Sequence, residues 1–308
     1  MQINNLNSIA PPILKKGDQI EIVATARFVS EEIIKNTIET IKSYGFNAKC
    51  NIDFSKNKDI FSDLKINRMN ALQHALNSEV NKAVFFARGG YGTIQLIDDT
   101  DFSILETQSK WLVGFSDVTM ILIHVLQLYN ISSIHGPMPF NYSSTKTQHI
   151  IQLFNILKGE RNPIVVDSSP QNINGVSKGK LVGGNLSIIC SLIGSESLLN
   201  ISNQSILFIE DVDEYLYHIE RMMYSLKRSG LLKKINGLIV GSMKDIKDNE
   251  LQFGKNIYQI IKNICKDYSY PICFSFPAGH TKDNHPLIIG TDVILSVNNK
   301  HSRIDYII

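Results

Sequence analysis

The N-terminal half alternates short apolar runs with amphipathic stretches, and that rhythm constrains the fold more than any other feature. Gln19 to Ala24 (QIEIVA) reads as a strand and Ser30 to Tyr44 (SEEIIKNTIETIKSY) as a helix. Ser30 is placed to cap that helix, Glu31 and Glu32 fall in its first turn, and Gly45 stops it. Asn67 to Leu76 predicts a second helix, and Lys82 to Ala87 (KAVFFA) a buried strand running into Arg88-Gly89-Gly90-Tyr91-Gly92. Trp111 to Gly114 is another strand, and Val118 to Tyr129 (VTMILIHVLQLY) is apolar enough for a buried helix. Strands separated by helices pair side by side in one direction, so the pattern specifies an α/β domain with a mostly parallel sheet.

Between Lys158 and Gly179 the rhythm dissolves into GERNPIVVDSSPQNINGVSKG, where Pro, Ser, Asn and Gly dominate and a linker is expected. The predicted domains are therefore 1–160 and 180–308, joined by 161–179. The second begins with strand Lys180 to Val182, then Gly183-Gly184-Asn185 opening a helix through Ile193. Strand Ile206 to Ile209, a helix from about Asp213 to Ser229, strand Gly237 to Val240, a helix from about Asn256 to Lys266 and terminal strands follow. No repeat or low-complexity tract interrupts it.

Composition excludes several function classes. With 308 residues and 43% hydrophobic content, the chain can bury the cores of two domains. A formal net charge of +2 offers no electrostatic footprint for nucleic acid. Lys227, Arg228, Lys233 and Lys234 are the densest basic group and read as solvated cations at a helix end. The N-terminal residues lack a basic region followed by an apolar one, so no secretion signal is expected. No apolar stretch approaches the ~20 residues that span a bilayer. Cys50, Cys190, Cys265 and Cys273 stand apart without metal-ligand spacing, which fits reduced core residues in a cytoplasmic protein with no metal or cofactor.

Three segments place a reactive side chain where a strand should end: Gly114-Phe115-Ser116-Asp117, Ile206 to Glu210, and Phe276-Pro277-Ala278-Gly279-His280. Together they hold a hydroxyl, a carboxylate and an imidazole, the parts of a serine-hydrolase relay. Ser116 sits on a tight strand-to-helix turn at a helix N-terminus, although Val118 stands where G-x-S-x-G has its second glycine. The plainer reading is that Ser116 or Asp117 caps the helix. Glu210 closes an apolar strand, where a carboxylate must be paired or face a cleft; the plainer reading groups it with Asp211, Asp213 and Glu214 as helix-starting acids. His280 follows a rigid loop sequence, and His135 in Ile134-His135-Gly136-Pro137 competes with it as a base; spacing does not choose between them. His218 and Glu220 lie off the apolar stripe of their helix and read as surface residues.

Two further segments are rich in glycine. The backbone amides around Arg88, Gly89, Gly90 and Tyr91 can form an anion nest or an oxyanion hole, and neither G-x-G-x-x-G nor GKS/GKT is present. Gly184 and Asn185 can present helix-start amides to a carboxylate, or simply make a tight turn capped by Asn185.

In this order, KKGDQIEIVATA, ARGGYG, GFSDVT, HGPM, GGNLS, IEDVDEYLYHIERMMYSL and PAGH resemble the LD-carboxypeptidase family of serine peptidases, which also contains the microcin C immunity proteins. The matching blocks run from about Lys15 to Gly290. The resemblance implies a flavodoxin-like N-terminal domain, a smaller C-terminal α/β domain, and an active site in the cleft between them. It implies a Ser-Glu-His triad matching Ser116, Glu210 and His280, which decides between the two histidines. The implied oxyanion hole matches the amides of Gly90 and Asp117, with Arg88 supporting the turn or a substrate carboxylate. The implied reaction is metal-free release of the terminal D-alanine from a muropeptide tetrapeptide, in the cytoplasm, by a homodimer.

Three alternatives stand beside this one, the first of them also a hydrolase. A microcin-immunity-type hydrolase of aminoacyl-nucleotide analogues would want an aromatic ring to stack the base; the sole tryptophan, Trp111, lies inside a predicted strand, which leaves that role to tyrosines. A non-catalytic peptide-binding protein would use Ser116 only as a hydrogen-bonding group. A nucleotide-dependent kinase or dehydrogenase lacks its phosphate motif.

Overall fold

The computed structural model describes residues 8–54, 60–197 and 204–307. The sequence expectation about a leader falls partly on residues 1–7, outside the described residues. The strands are β1 (Gln19–Val23), β2 (Asn47–Cys50), β3 (Asn81–Phe86), β4 (Trp111–Gly114), β5 (Ser133–His135), β6 (Ile164–Asp167) and β7 (Gly175–Asn185). They continue with β8 (Ser205–Val212), β9 (Ile235–Lys244), β10 (Ile272–Cys273), β11 (Leu287–Ile289), β12 (Asp292–Val297) and β13 (His301–Tyr306). The helices are α1 (Glu31–Ser43), α2 (Lys65–Asn77), α3 (Thr119–Tyr129), α4 (Thr147–Leu157), α5 (Leu186–Ser191), α6 (Leu216–Arg228), α7 (Leu231–Lys234) and α8 (Ile257–Cys265). The chain divides into two compact units, Met1–Glu160 with Lys282–Gly290, and Arg161–Thr281 with Thr291–Ile308.

The first unit carries a six-stranded sheet in the order β11-β5-β4-β3-β1-β2. Five strands are parallel in the flavodoxin-like order 2-1-3-4-5, and β11 joins antiparallel beside β5. This is the sheet that the strand–helix rhythm predicts, and its physical cause is visible in α1. Ser30 Oγ accepts from Ile33 N, Glu31 and Glu32 sit in the first turn, and Ile34, Thr37 and Ile41 are buried at helical spacing. Helix α3 is buried continuously from Thr119 to Leu126, as a helix apolar all round must be. Trp111 is fully buried in β4, and its indole N–H donates to the Pro12 carbonyl at 3.0 Å. The tryptophan is therefore a core residue. Burying a side chain of this kind contributes roughly 1.5–3 kcal/mol.

The second unit carries a seven-stranded sheet, β10-β9-β8-β7-β12-β13-β6. Strands β10, β9, β8 and β7 are parallel to one another, whereas β12, β13 and β6 add on antiparallel. Both units are thus α/β, with parallel strands at the centre of each sheet.

The structure differs from the sequence reading in several places. Residues 161–179, expected to be a linker, contain β6 and the first part of β7. β6 is an edge strand with one buried residue, Ile164, which is why its Pro- and Ser-flanked sequence does not read as a strand. Gly183 and Gly184, expected to open a helix, lie inside β7. Strand β8 runs beyond Glu210 to Val212, so Glu210 is not its last residue. β2, β5 and α4 carry little local signal: β2 is half-exposed, β5 has only 3 residues, and α4 has no side-chain cap and no acidic first turn. Cys265 and Cys273 are buried in the core, whereas Cys50 and Cys190, also read as core residues, are only partly buried.

Candidate active site

Ser116 belongs to the first unit. It follows β4 at φ 61°, in the left-handed region, and begins a short 3-10 turn (Ser116–Val118) that leads into α3. A non-glycine residue held there costs of order 1–3 kcal/mol, and such outliers concentrate where a side chain must be presented. The half-buried Ser116 hydroxyl faces the glycine-rich turn after β3: a Cβ added to Gly89 would come 3.1 Å from Ser116 Cβ, 3.2 Å from its Oγ and 3.3 Å from Asp117 N. A side chain there would crowd the hydroxyl and that amide. Gly90 follows at φ 111°, also in the left-handed region, and is exposed.

The Asp117 side chain does not cap its own helix. It is buried, and its carboxylate accepts from Thr93 N at 2.9 Å, tying α3 to the glycine-rich segment. Burial pushes its pKa up, while the Thr93 hydrogen bonds and the charges of Arg68 and Arg27 act in the opposite direction. Arg88 donates to the Phe28 carbonyl at 2.7 Å, and its guanidinium lies 3.9 Å from the centre of the Phe140 ring. That geometry fits the turn-supporting role. Tyr91 is half-exposed, with its ring 6.0 Å from that of Phe61.

Glu210 and His280 belong to the second unit, and the fold brings them together. Glu210 is fully buried in β8, and its Oε2 accepts from His280 Nδ1 at 2.7 Å and from His280 N at 3.2 Å. The register of β8 against β9 shifts between Ile209 and Asp211, a local irregularity of the kind that re-aims a side chain. Gly279 makes the close approach possible. It sits at φ 101°, and a Cβ there would come 2.4 Å from Glu210 Oε2. Burial works against the charged form of His280, but the Glu210 charge and hydrogen bond outweigh it, with Asp211 adding and Lys244 subtracting. The net effect raises the pKa above the ordinary 6.5.

Asp211, read from the sequence as one of several helix-starting acids, lies in β8 and organises the start of α5 instead. Its two oxygens accept from Asn185 Nδ2 and Ser187 N, each at 2.9 Å. Burial and the neighbouring Glu210 charge push its pKa up to about 6. Asn185 is buried; besides donating to Asp211, its side chain accepts from Ile188 N at 3.1 Å, which suits a positioning role. The adjoining Gly184 lies in β7 at φ 149°.

The competing histidine, His135, is fully buried in β5 with its ring 5.6 Å from that of Phe115, a core position. His218 Nδ1 lies 2.8 Å from Glu214 Oε2, and Glu220 pairs with Lys255 at 3.1 Å; both contacts are partly exposed, as their places off the apolar stripe predict. Among the described residues, no group of three or more His, Cys, Asp and Glu is arranged to hold a metal. Nor is any described helix long and apolar enough to cross a membrane.

Two family models match this chain: the LD-carboxypeptidase N-terminal domain over residues 20–136 and the LD-carboxypeptidase C-terminal domain over 178–295. The chain belongs to the LD-carboxypeptidase family. Among its relatives in that family, the probable murein peptide carboxypeptidase of Bacillus subtilis is 24% identical over 96% of this chain and 94% of its own length. The crystal structure of muramoyltetrapeptide carboxypeptidase from Oxalobacter formigenes superimposes with a TM-score of 0.85 at 27% identity, covering 94% of this chain and 98% of that one. The microcin C7 self-immunity protein of Escherichia coli is also similar, 22% identical over 70% of this chain and 71% of its own length. The chain is thus similar both to proteins named for murein peptides and to one named for self-immunity to microcin C7.

Proposed function

We propose that this LD-carboxypeptidase family member is a serine carboxypeptidase that releases the terminal D-alanine from muropeptide tetrapeptides by cutting an L,D-amide bond. The Glu210–His280 pair carries this reading. A buried carboxylate 2.7 Å from Nδ1 holds the ring in one tautomer and orientation, with Nε2 as the nitrogen for proton transfer. Unlike the partly exposed Glu214 beside His218, Glu210 is fully buried, so its carboxylate is held against the imidazole and away from water.

In the proposed mechanism His280 takes the proton from Ser116 Oγ as that oxygen attacks the carbonyl carbon, and Glu210 stabilises the imidazolium. The amides of Gly90 and Asp117 hold the oxyanion; losing one such donor costs about 3 kcal/mol of barrier. Collapse of the tetrahedral intermediate breaks the C–N bond, His280 protonates the leaving D-alanine amine, and water then hydrolyses the acyl-enzyme. The relatives named for murein peptides support the substrate class. Cell-wall recycling by a cytoplasmic homodimer is the corresponding physiological proposal.

Incubating the purified protein with an L,D-muropeptide tetrapeptide and following the products by mass spectrometry tests the reading. The expected result is loss of one alanine by the wild type and none by a folded Ser116→Ala variant. Equal turnover by both would exclude Ser116 as the nucleophile. No turnover by the wild type would move the assignment toward an aminoacyl-nucleotide substrate or a binding protein.

A further inference from the structure

Three arginines surround the glycine-rich turn of the first unit: Arg27 just after β1, Arg68 in α2 and Arg88 just after β3. Two of them are committed. Arg68 donates to the carbonyls of Thr25 at 2.5 Å, Asp63 at 3.0 Å and Gly92 at 3.2 Å. Arg88 is held by the Phe28 carbonyl and the Phe140 ring, as described above.

Arg27 differs. Its side chain lies directly on Gly90, so that a Cβ there would come 2.6 Å from Arg27 Cδ and 2.9 Å from Nε. Its Nε is buried and has no hydrogen-bond partner among the described residues. A buried donor left unpaired costs about 1–3 kcal/mol, and native proteins keep such groups rarely and for a reason. The charge around the turn is also unbalanced. Arg27 acts on Arg88 as a second positive charge, while Asp117 faces Arg27 and Arg68, and Asp63 faces Arg68.

Position supplies the rest. The sheet order reverses between β1 and β3, and in open parallel sheets ligands bind beyond the carboxyl ends of the strands at that reversal. Arg27 and Arg88 follow those two strands. Gly89 touches Ser116 and its neighbour Gly90 touches Arg27, so the hydroxyl and the guanidinium flank one two-residue turn. In a carboxypeptidase the leaving residue carries a free carboxylate two bonds beyond the scissile nitrogen, and a cation close to the nucleophile is one group that can hold it. An arginine fork suits a carboxylate because it offers paired, charge-assisted donors.

Resting on the carboxypeptidase reading above, we propose that Arg27 binds the terminal carboxylate of the substrate and sets the preference for an unblocked C-terminus. Arg88, fixed by Phe28 and Phe140, is a positioning residue that adds a second positive charge.

The test compares wild type, Arg27→Gln and Arg27→Lys on an L,D-tetrapeptide with a free C-terminus and on its C-terminal amide. For the free acid, Arg27→Gln should raise KM roughly tenfold or more while kcat changes little, the loss expected for one charged contact. Its KM for the amide should match that of the wild type, and Arg27→Lys should fall between the two. If folded Arg27→Gln keeps the wild-type preference for acid over amide, the proposal is overturned. If the wild type cleaves neither peptide, the carboxypeptidase reading fails instead, and calorimetric binding of both peptides to Ser116→Ala and Ser116→Ala/Arg27→Gln then decides the role of Arg27. A preference for the acid that disappears with Arg27 supports carboxylate binding; equal affinity for acid and amide overturns it.

Discussion

At the residue scale, the Glu210–His280 pair has a consequence for pH. The native state holds the His280 proton more tightly than the unfolded chain does, because the Glu210 charge and hydrogen bond outweigh the penalty of burial. The stability this pair contributes is therefore fully present below the ordinary imidazole value of 6.5 and is lost as pH rises through the higher folded-state value. A base must be unprotonated to act, so kcat/KM should climb through that same elevated value. An NMR titration of His280 should give a midpoint above 6.5 in the wild type and a lower one in Glu210→Gln. A wild-type midpoint at or below the ordinary value would remove Glu210 as the group that stabilises the imidazolium. Gly279 belongs to the same argument, since any side chain at that position would occupy the space of the Glu210 carboxylate.

At the scale of elements, strand β8 does two jobs with neighbouring residues. Successive strand residues point to opposite faces, so Glu210 can serve His280 while Asp211 serves the start of α5. Asp211→Asn keeps one acceptor oxygen and sets an NH2 group against a donor, either Asn185 Nδ2 or Ser187 N. We expect a loss of about 1–3 kcal/mol at pH 7, read from urea unfolding. An unchanged unfolding midpoint would mean that α5 does not depend on Asp211. The Asp211 carboxyl has its pKa pushed up to about 6, so the native state binds a proton that the unfolded chain has released by that pH. Its ionisation accordingly lowers stability as pH rises from the ordinary carboxylate range through about 6, opposite in cause to the His280 effect but the same in sign.

At the scale of the whole molecule, the chain order and the compact units do not coincide. Residues Lys282–Gly290 return to the first unit, where β11 pairs with β5 between Leu287 and His135, Ile288 and Ile134, and Ile289 and Ser133. A fragment ending at Glu160 would therefore expose the edge of β5, and exposed edges invite association with other chains. Such a fragment should aggregate, or unfold without a cooperative transition by circular dichroism, whereas the full chain should unfold cooperatively. A soluble, cooperatively folding 1–160 fragment would show that β11 is dispensable for the first unit.

Much of this was legible in the linear sequence because it depends on local causes. Periodicity places α1, α3 and α6 within a few residues, since an amphipathic or wholly buried helix shows its environment in every turn. The parallel sheet of the first unit follows from strands separated by helices. Ser116 was visible as a residue between an apolar strand and an apolar helix, and Glu210 and His280 as polar residues at the ends of apolar runs. What the linear sequence did not disclose depends on neighbours remote along the chain. Edge strands β6 and β11 owe their existence to partners already in place, so their own residues carry little signal. The pairing of Glu210 with His280 rather than any other histidine, the left-handed backbone of Ser116, and the contact of Arg27 with Gly90 are all long-range packing outcomes. Local sequence determined which segments could become strands and helices, because backbone sterics and hydrophobic periodicity act within a few residues; tertiary structure alone decided which side chains meet, because contacts are chosen by the burial and hydrogen bonding of the folded whole.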